Sequence, residues 1–302
     1  MALRLGIDLG GTKIAAVVLG PDGGVRWERR IPSPRDNYDD TLDALAALVR
    51  DGEAAAGEAC SVGIGMPGAI SPVTGLAKNA NSTWLNGQPL QVDLERRLAR
   101  PVRLANDANC LAVSEATDGA AAGAHVVFGV ILGTGAGAGI AIDGRVLTGA
   151  NAIAGEWGHN PLPWPSDDER PGATCYCGRR GCIETFLSGP ALAAAYRRAA
   201  SIDVGAEEVV ARAGQADAIA AGVLDTWLSQ LARALATIIN VLDPDVIVVG
   251  GGLSNISRIY DDVPGRWGPF VFSDRVTTRI VPAKFGDASG VRGAAWLWPV
   301  LI

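Results

Sequence analysis

The sequence has little of what secreted, membrane-bound or nucleic-acid-binding proteins need. It contains five cysteines and two histidines in 302 residues, and 26 basic residues against 32 acidic ones give a formal net charge of −6. An odd number of cysteines, three of them clustered, is a poor disulfide framework and is typical of a reducing cytoplasm. An acidic chain is also a poor partner for nucleic acid or an anionic membrane. We therefore expect a cytoplasmic protein that binds neither.

A leader and a membrane span are also missing from the pattern. No charged segment precedes the first apolar strand, Leu3 to Leu9, so we expect no signal peptide. The stretch from Gly119 to Ile142 lacks charged residues and is long enough to cross a bilayer, but seven glycines break it into short apolar runs. That pattern is typical of strand, turn and strand.

Two segments of the chain resemble each other. Residues 3–25 and 126–146 each contain an apolar strand, a turn rich in glycine and threonine, a second strand, and an Asp-Gly turn before a third short strand. Such a repeat predicts an α/β protein with two related domains and a cleft between them. We place the domains at 1–117 and 118–290, the second being the larger. The apolar, tryptophan-rich end, 291–302, is expected to form a helix that packs back on the first domain.

Other elements follow from hydrophobic periodicity. Helices are predicted over 41–59, 93–100, 109–118, 189–198 and 218–242, and strands over 62–68, 101–107 and 245–253. The polar, proline-rich segment 164–174 is predicted to be a loop.

Three glycine-rich turns follow predicted strands. They supply Asp8, Gly10, Gly11, Thr12 and Lys13 in DLGGTK, Gly133, Thr134 and Gly135 in GTGAG, and Gly251 and Gly252 in GGG. Glycines let backbone N–H groups approach a phosphate, and the Asp8 carboxylate can hold Mg²⁺ directly or through water. One such turn could equally be a tight hairpin, but the set indicates a nucleotide site across the cleft. No P-loop and no Rossmann fingerprint is present, which weakens both of those alternatives.

LANDAN places Asn106 and Asp107 between a predicted strand and a predicted helix. Ligands of open α/β sheets bind where strands end in this way. Asp107 is therefore a candidate to accept the proton of an attacking hydroxyl in phosphoryl transfer. The alternative is that it only caps the helix that begins near Asn109.

In CYCGRRGC, the side chains of Cys175, Cys177 and Cys182 are close enough in the chain to bind one tetrahedral metal ion. Three cysteines leave the fourth coordination position of that ion unfilled. His125 lies in an apolar run, which favours a structural role. His159, in GEWGHNPL, is separated from Cys175 by a loop of fifteen residues that can fold back. Three cysteines and one histidine form a closed structural Zn²⁺ site without a position for a reactive water.

The motifs DLGGTK, GIGMPGAI, LANDANCLAVSEA, GTGAGAGIAIDGRVLTGANAIAGEWGHNPL and CYCGRRGCIE occur in this order. Over its whole length the chain resembles the ROK family of bacterial sugar kinases and repressors. NANSTWLNGQPL and the ending GVRGAAWLW look most like the fructokinase/mannokinase branch. The resemblance implies the actin-like (ribonuclease-H-like) ATPase fold, MgATP as the phosphoryl donor, and dimers or tetramers, of which we expect a homodimer.

The resemblance also implies roles for single residues. The residue that matches Asp107 is the family's catalytic base, and the one that matches His159 both binds zinc and touches the sugar. The expected sugar contacts are Gly68, Asn81, Asn106, Asp107, Glu156, His159 and Glu184.

Three classes of function compete at this point. A repressor of the family needs a winged helix-turn-helix before DLGGTK, and only seven residues precede Asp8, so we expect none. A non-catalytic sugar-binding protein is expected to lose Asp107 or a phosphate turn, and the chain keeps both. We therefore expect an ATP-dependent kinase that acts on the 6-hydroxyl of fructose, with mannose or glucose as slower substrates. The alternative is a glucokinase or an N-acetylhexosamine kinase, because the same residues bind the hydroxyl groups of all of these sugars.

Overall fold

The computed structural model describes residues 3–298. The chain divides into two compact units: unit 1 consists of Met1–Ala124, Gly139–Ala154 and Asp287–Ile302, and unit 2 of His125–Ala138 and Gly155–Gly286. Compactness does not test independent folding, so the domain limits 1–117 and 118–290 stay a prediction. The part of the predicted helix 291–302 that follows residue 298 lies outside the described residues.

The described residues form twelve strands and nine α-helices. The strands are β1 (Arg4–Leu9), β2 (Lys13–Leu19), β3 (Val25–Pro32), β4 (Ser61–Met66), β5 (Ala69–Ile70), β6 (Ala77–Lys78), β7 (Val102–Asn106), β8 (Val126–Leu132), β9 (Ala136–Ile142), β10 (Arg145–Val146), β11 (Val246–Gly250) and β12 (Arg279–Pro282). The helices are α1 (Tyr38–Ala56), α2 (Leu90–Leu98), α3 (Asp107–Thr117), α4 (Glu184–Leu187), α5 (Gly189–Ala200), α6 (Ala206–Gly214), α7 (Ala218–Leu242), α8 (Arg258–Trp267) and α9 (Ser289–Trp296).

The two five-stranded sheets share one topology. Their strand orders are β3-β2-β1-β4-β7 and β10-β9-β8-β11-β12. In the first sheet β1, β2 and β3 are antiparallel neighbours, while β4 and β7 continue parallel to β1. In the second sheet β11 and β12 are parallel to β8, and β10 is antiparallel to β9. The repeat predicted from residues 3–25 and 126–146 is thus confirmed as a repeat of strand order.

Helix α1 covers the sheet of unit 1. Asn37 caps its start, since the side chain accepts a hydrogen bond from the backbone N–H of Asp40. The helix ends at Gly57, which has a left-handed φ of 76° that glycine adopts without strain. Leu45 and Val49 are fully buried on its inner face. The predicted helix, 41–59, begins three residues after the observed start at Tyr38, because the prediction did not take Asn37 as the N-cap.

Helix α9, which belongs to unit 1, lies with its backbone directly against β1, β4 and α3. A Cβ on Gly6 of β1 would come 2.2 Å from the Val291 carbonyl oxygen, and one on Gly63 of β4 would come 1.9 Å from that of Ala294. A Cβ on Gly293 would come 1.7 Å from the carbonyl oxygen of Cys110 in α3. These contacts need glycine, and they fix the position of α3 relative to β1 and β4.

Helix α7 forms the centre of unit 2. Asp217 caps its start by accepting hydrogen bonds from the N–H groups of Ile219 and Ala220. Its buried face includes Trp227, whose indole N–H donates to the Leu187 carbonyl at 3.2 Å. Helices α5, α6 and α8 pack against it. The sequence predicted α7 at its observed limits but did not predict α6, α8 or β12.

Within residues 3–298, no helix combines the length and the apolar character that crossing a membrane demands.

Candidate active site

The first glycine turn connects β1 to β2 in unit 1. The N–H of Gly10 donates to the Lys13 carbonyl at 3.1 Å, and a Cβ on Gly10 would come 2.7 Å from that oxygen. The turn is therefore closed in a way that only glycine allows. The side chains of Thr12 and Lys13 are exposed. The turn can thus present backbone N–H groups, a hydroxyl and a cation to a phosphate.

Asp8 lies at the end of β1, directly before this turn. Burial, and then the negative charge of Asp107, raise the pKa of Asp8 to about 6, although Lys13 and Arg30 act in the opposite direction. A desolvated carboxylate beside a second acid is stabilised by a cation, so this pair is chemically suited to a divalent metal ion.

Asn106 and Asp107 lie at the same edge of the sheet as Asp8, because β1, β4 and β7 are parallel. Helix α3 begins at Asp107, and its N-cap is Asn106, whose side-chain oxygen accepts from the N–H of Ala108 at 2.9 Å. Asp107, the first residue of the helix, has an exposed side chain whose Oδ1 accepts a hydrogen bond from the same N–H at 2.8 Å, so Asp107 contributes to the cap that Asn106 provides. The helix starts two residues before the predicted Asn109 because this cap was not recognised.

Gly68 follows β4 at the same edge. The side-chain NH₂ of Asn106 donates to the Gly68 carbonyl at 3.3 Å. Gly68 has a φ of +71°, and a Cβ there would come 2.2 Å from the Lys78 carbonyl oxygen. Gly68 and Asn106 are thus held together within unit 1.

Asn81 is exposed on the segment that precedes a short 3-10 helix. Asn86 holds this segment with two hydrogen bonds of 2.9 Å to the backbone N–H and carbonyl of Ala80. A Cβ on Gly11 would come 3.3 Å from the Ser82 hydroxyl oxygen. The segment that carries Asn81 therefore lies beside the first glycine turn.

The second and third glycine turns come together in unit 2. Strands β8 and β11 are parallel, with Ile131 opposite Gly250, so both turns leave the same edge of the sheet. A Cβ on Gly251, which has a φ of +82°, would come 2.4 Å from the Leu132 carbonyl oxygen. Gly133 and Gly251 are therefore neighbours, and a phosphate at this edge would meet both turns.

Glu184, the first residue of α4, contacts the second glycine turn. One carboxylate oxygen accepts from the N–H of Ala136 at 3.0 Å, and a Cβ on Gly135 would come 2.7 Å from the same oxygen. Glu156 is exposed and precedes the 3-10 helix Trp157–His159. The predicted sugar-binding carboxylates thus belong to unit 2, and one of them is tied directly to a predicted phosphate turn.

His159, Cys175, Cys177 and Cys182 form one cluster, in which the four ligand atoms lie within 4.8 Å of one another. The Cys175 sulfur lies 3.6 Å from His159 Nδ1, and the sulfurs of Cys177 and Cys182 are 3.6 Å apart. Zn–S bonds of about 2.3 Å in a tetrahedron would hold two sulfurs about 3.8 Å apart. The chemistry and spacing of these donors therefore fit a tetrahedral zinc ion.

The thiols of this cluster must lose protons to bind an ion. Burial raises the pKa of Cys182 to about 12. Metal binding here would therefore release protons and weaken as the pH falls.

The chain matches the ROK family model over residues 4–300, which is nearly its whole length. The chain belongs to the ROK family. This ROK protein is 42% identical over 296 residues to a protein of Escherichia coli O139:H28 named N-acetyl-D-glucosamine kinase, covering 97% of this chain and 98% of the relative. The comparison supports the family expected from the sequence but not its fructokinase/mannokinase branch.

Solved structures of the ROK family have the same fold. The ROK hexokinase from Thermus thermophilus aligns with a TM-score of 0.87 at 29% identity, covering 98% of this chain and 97% of that one. A ROK family glucokinase from Streptomyces griseus in complex with glucose and AMPPNP aligns with a TM-score of 0.77 at 28% identity, covering 98% of both chains. The predicted actin-like (ribonuclease-H-like) ATPase fold is confirmed.

Two residues of this ROK protein's site region escaped the sequence analysis. Asn86 has no local signal, because its role depends on a hydrogen-bonded return to Ala80. Tyr176 does have a local signal, because a residue between two proposed ligands of the same ion must lie at the metal site. Its hydroxyl lies 2.9 Å from His159 Nε2.

Proposed function

We propose that this sugar kinase of the ROK family transfers the γ-phosphoryl group of MgATP to the 6-hydroxyl of N-acetyl-D-glucosamine. The observation that carries the proposal is the 42% identity, over 97% of the chain, to a protein named N-acetyl-D-glucosamine kinase. This supports the N-acetylhexosamine alternative over fructose. The fructose reading rests on two short motifs, NANSTWLNGQPL and GVRGAAWLW, and is tested in the same experiment.

Asp107 is the proposed general base. It takes the proton of the 6-hydroxyl while that oxygen bonds to the γ-phosphorus, and the bond to the β,γ-bridging oxygen breaks so that ADP leaves with the electron pair. The support is the position of Asp107 at the N-terminus of α3, on the sheet edge that also carries Asp8. Because the transition state is loose, a carboxylate of ordinary basicity suffices.

The glycine turns are the proposed phosphate contacts. The residues are Gly10, Gly11, Thr12, Lys13, Gly133, Thr134, Gly135, Gly251 and Gly252. Asp8 is the proposed ligand of Mg²⁺, directly or through water, and the ion when bound neutralises charge on the phosphate oxygens. The partly buried position of Asp8 and its raised pKa support this role, since a cation would stabilise its ionised form.

The proposed sugar contacts, besides Asp107, are Gly68, Asn81, Asn106, Glu156, His159 and Glu184. Carboxylates that accept two hydrogen bonds from sugar hydroxyls would orient the substrate firmly. His159 also joins Cys175, Cys177 and Cys182 in a proposed structural Zn²⁺ site. The ion would fix His159 in place and take no part in the phosphoryl chemistry.

The test is a panel of N-acetyl-D-glucosamine, N-acetyl-D-mannosamine, glucose, mannose and fructose in a coupled assay of ADP release. N-acetyl-D-glucosamine should give the highest kcat/KM. If fructose did so instead, the fructokinase reading would replace the proposal. If no sugar in the panel were phosphorylated, the kinase proposal itself would fail.

We also propose that the protein forms a homodimer, as the family resemblance implies. Light scattering coupled to gel filtration should give twice the chain mass, and a monomer mass at all concentrations would contradict it.

A further inference from the structure

The imidazole of His159 is engaged on both sides. Nδ1 faces the Cys175 sulfur at 3.6 Å, and Nε2 lies 2.9 Å from the Tyr176 hydroxyl. The two rings meet edge to face, with centroids 5.1 Å apart and planes at 87°. If Nδ1 binds the ion, Nε2 carries the proton and donates it to Tyr176. Nε2 is then the one polar atom of this ring left for any further ligand.

The Tyr176 side chain contacts His159 but is otherwise largely open to solvent. It stands between Cys175 and Cys177, yet its side chain is 82% exposed. Its hydroxyl lies 2.9 Å from His159 Nε2, and His159 is one of the residues for which we propose a sugar contact.

We propose that Tyr176 is a residue of the sugar site, and that its hydroxyl occupies the position at His159 Nε2 that a sugar hydroxyl takes when the substrate binds. This rests on the proposed function of His159 and extends it. A phenol and a sugar hydroxyl are the same kind of acceptor for the Nε2 proton. Because most of the Tyr176 side chain is exposed, its displacement costs little beyond the edge-to-face contact with the His159 ring.

The proposal predicts an unusual direction of effect. Removing the hydroxyl removes a competitor, so Tyr176→Phe should bind the sugar more tightly than the wild type. A neutral hydrogen bond corresponds to a factor of about two to ten in an equilibrium constant, which is the gain expected in Kd. The zinc content and the KM for ATP should not change, because neither the thiols nor the glycine turns are touched.

The experiment measures the Kd of the best sugar of the panel by calorimetry without ATP, together with zinc by elemental analysis. Tyr38→Phe is a matched control, since it removes a phenol hydrogen bond of the same length, 2.9 Å to Asp93, that lies in unit 1. That variant should leave the sugar Kd unchanged.

An unchanged or weaker sugar Kd in Tyr176→Phe would overturn the proposal. A loss of zinc in this variant would also overturn it, because Tyr176 would then act by supporting the metal site. Failure of the proposed function is distinguishable, since the wild-type protein would then phosphorylate none of the sugars. Failure of the inference leaves a wild-type enzyme that is active and a variant that gains nothing.

Discussion

The substitution Glu169→Gln should destabilise the protein strongly, although residue 169 lies in a short 3-10 helix, Asp167–Glu169, within the segment 164–174 that was predicted to be a loop. Glu169 and Arg233 of α7 form an ion pair in which both side chains are less than a tenth exposed. Two guanidinium N–H groups donate to the carboxylate at 2.6 and 2.9 Å. Gln230 and the backbone N–H of Ser166 donate to the same carboxylate at 3.0 and 2.8 Å. An amide in its place would turn an N–H toward these donors and leave the Arg233 charge buried without its counter-ion.

Two independent estimates of the loss of folding stability in Glu169→Gln agree. Removing one partner of a buried, hydrogen-bonded ion pair costs about 3–5 kcal/mol. Burial alone would raise the pKa of Glu169, but hydrogen bonds from Arg233, Gln230 and Ser166 lower it from 4.5 to about 2. At about 1.4 kcal/mol per pKa unit, that shift corresponds to about 3 kcal/mol of folding stability at neutral pH.

The assay is thermal unfolding followed by circular dichroism. A loss of about 3 kcal/mol should lower Tm by roughly 6–12 °C. Glu208→Gln is the control, because Glu208 pairs with Arg212 on an exposed helix surface, and such a pair contributes about 0.5 kcal/mol or less. Replacing both Glu169 and Arg233 with apolar residues should be less damaging than Glu169→Gln alone.

The pH dependence gives a second check on Glu169. Its folded pKa is depressed, so its contribution is complete above about pH 4.5 and is lost as the pH falls toward 2. The difference between wild type and Glu169→Gln should shrink over that range. A Tm within about 2 °C of the wild type at pH 7 would refute the argument that this pair anchors the loop.

Three further predictions concern the proposed chemistry and the packing of α9. Asp107→Asn should keep sugar and ATP binding but lose about 10²–10⁴-fold in kcat, the usual scale for a positioned base, and near wild-type turnover would remove the assignment. The wild-type protein should carry about one zinc per chain, whereas Cys177→Ala should lose zinc, melt earlier and bind sugar more weakly with little change in the KM for ATP. Zinc-free wild-type protein would contradict this. Gly293→Ala should cost about 1–3 kcal/mol or more in urea unfolding, because its Cβ would come 1.7 Å from the Cys110 carbonyl oxygen. Gly222→Ala, in the open surface of α7, should be neutral or stabilising, and equal effects of the two would contradict the packing argument.

What could be predicted from the sequence depended on local chemistry. The residues of each of the three glycine turns lie within a few positions of one another in the chain, as do the three clustered cysteines, and these residue types have few other uses in such patterns. The strand repeat was visible because period, turn residues and length recur together. The family model then confirms the fold that these motifs indicated.

What the sequence concealed depends on contacts between distant residues or on the choice of a cap. Glu169 and Arg233 are 64 positions apart, and nothing local marks either as buried. The indole N–H of Trp84 donates to Thr41 of α1, 43 positions away, at 3.2 Å, and the ring packs against the core of unit 1. The preference among sugars is also concealed, because residues of the same type bind the hydroxyl groups of several hexoses.

The position of α9 has a consequence for how the protein is made on the ribosome. The helix closes over Gly6 and Gly63, which belong to strands at the other end of the chain. Strand β1 and helix α3, with Asp8 and Asp107, emerge early but lack the surface that covers them until residues 289–296 have been synthesised. Unit 2, by contrast, is complete by residue 286. The half of the enzyme that is translated first must therefore wait for α9, and a nascent chain would acquire its proposed catalytic base in working order only after the whole of unit 2 has been translated.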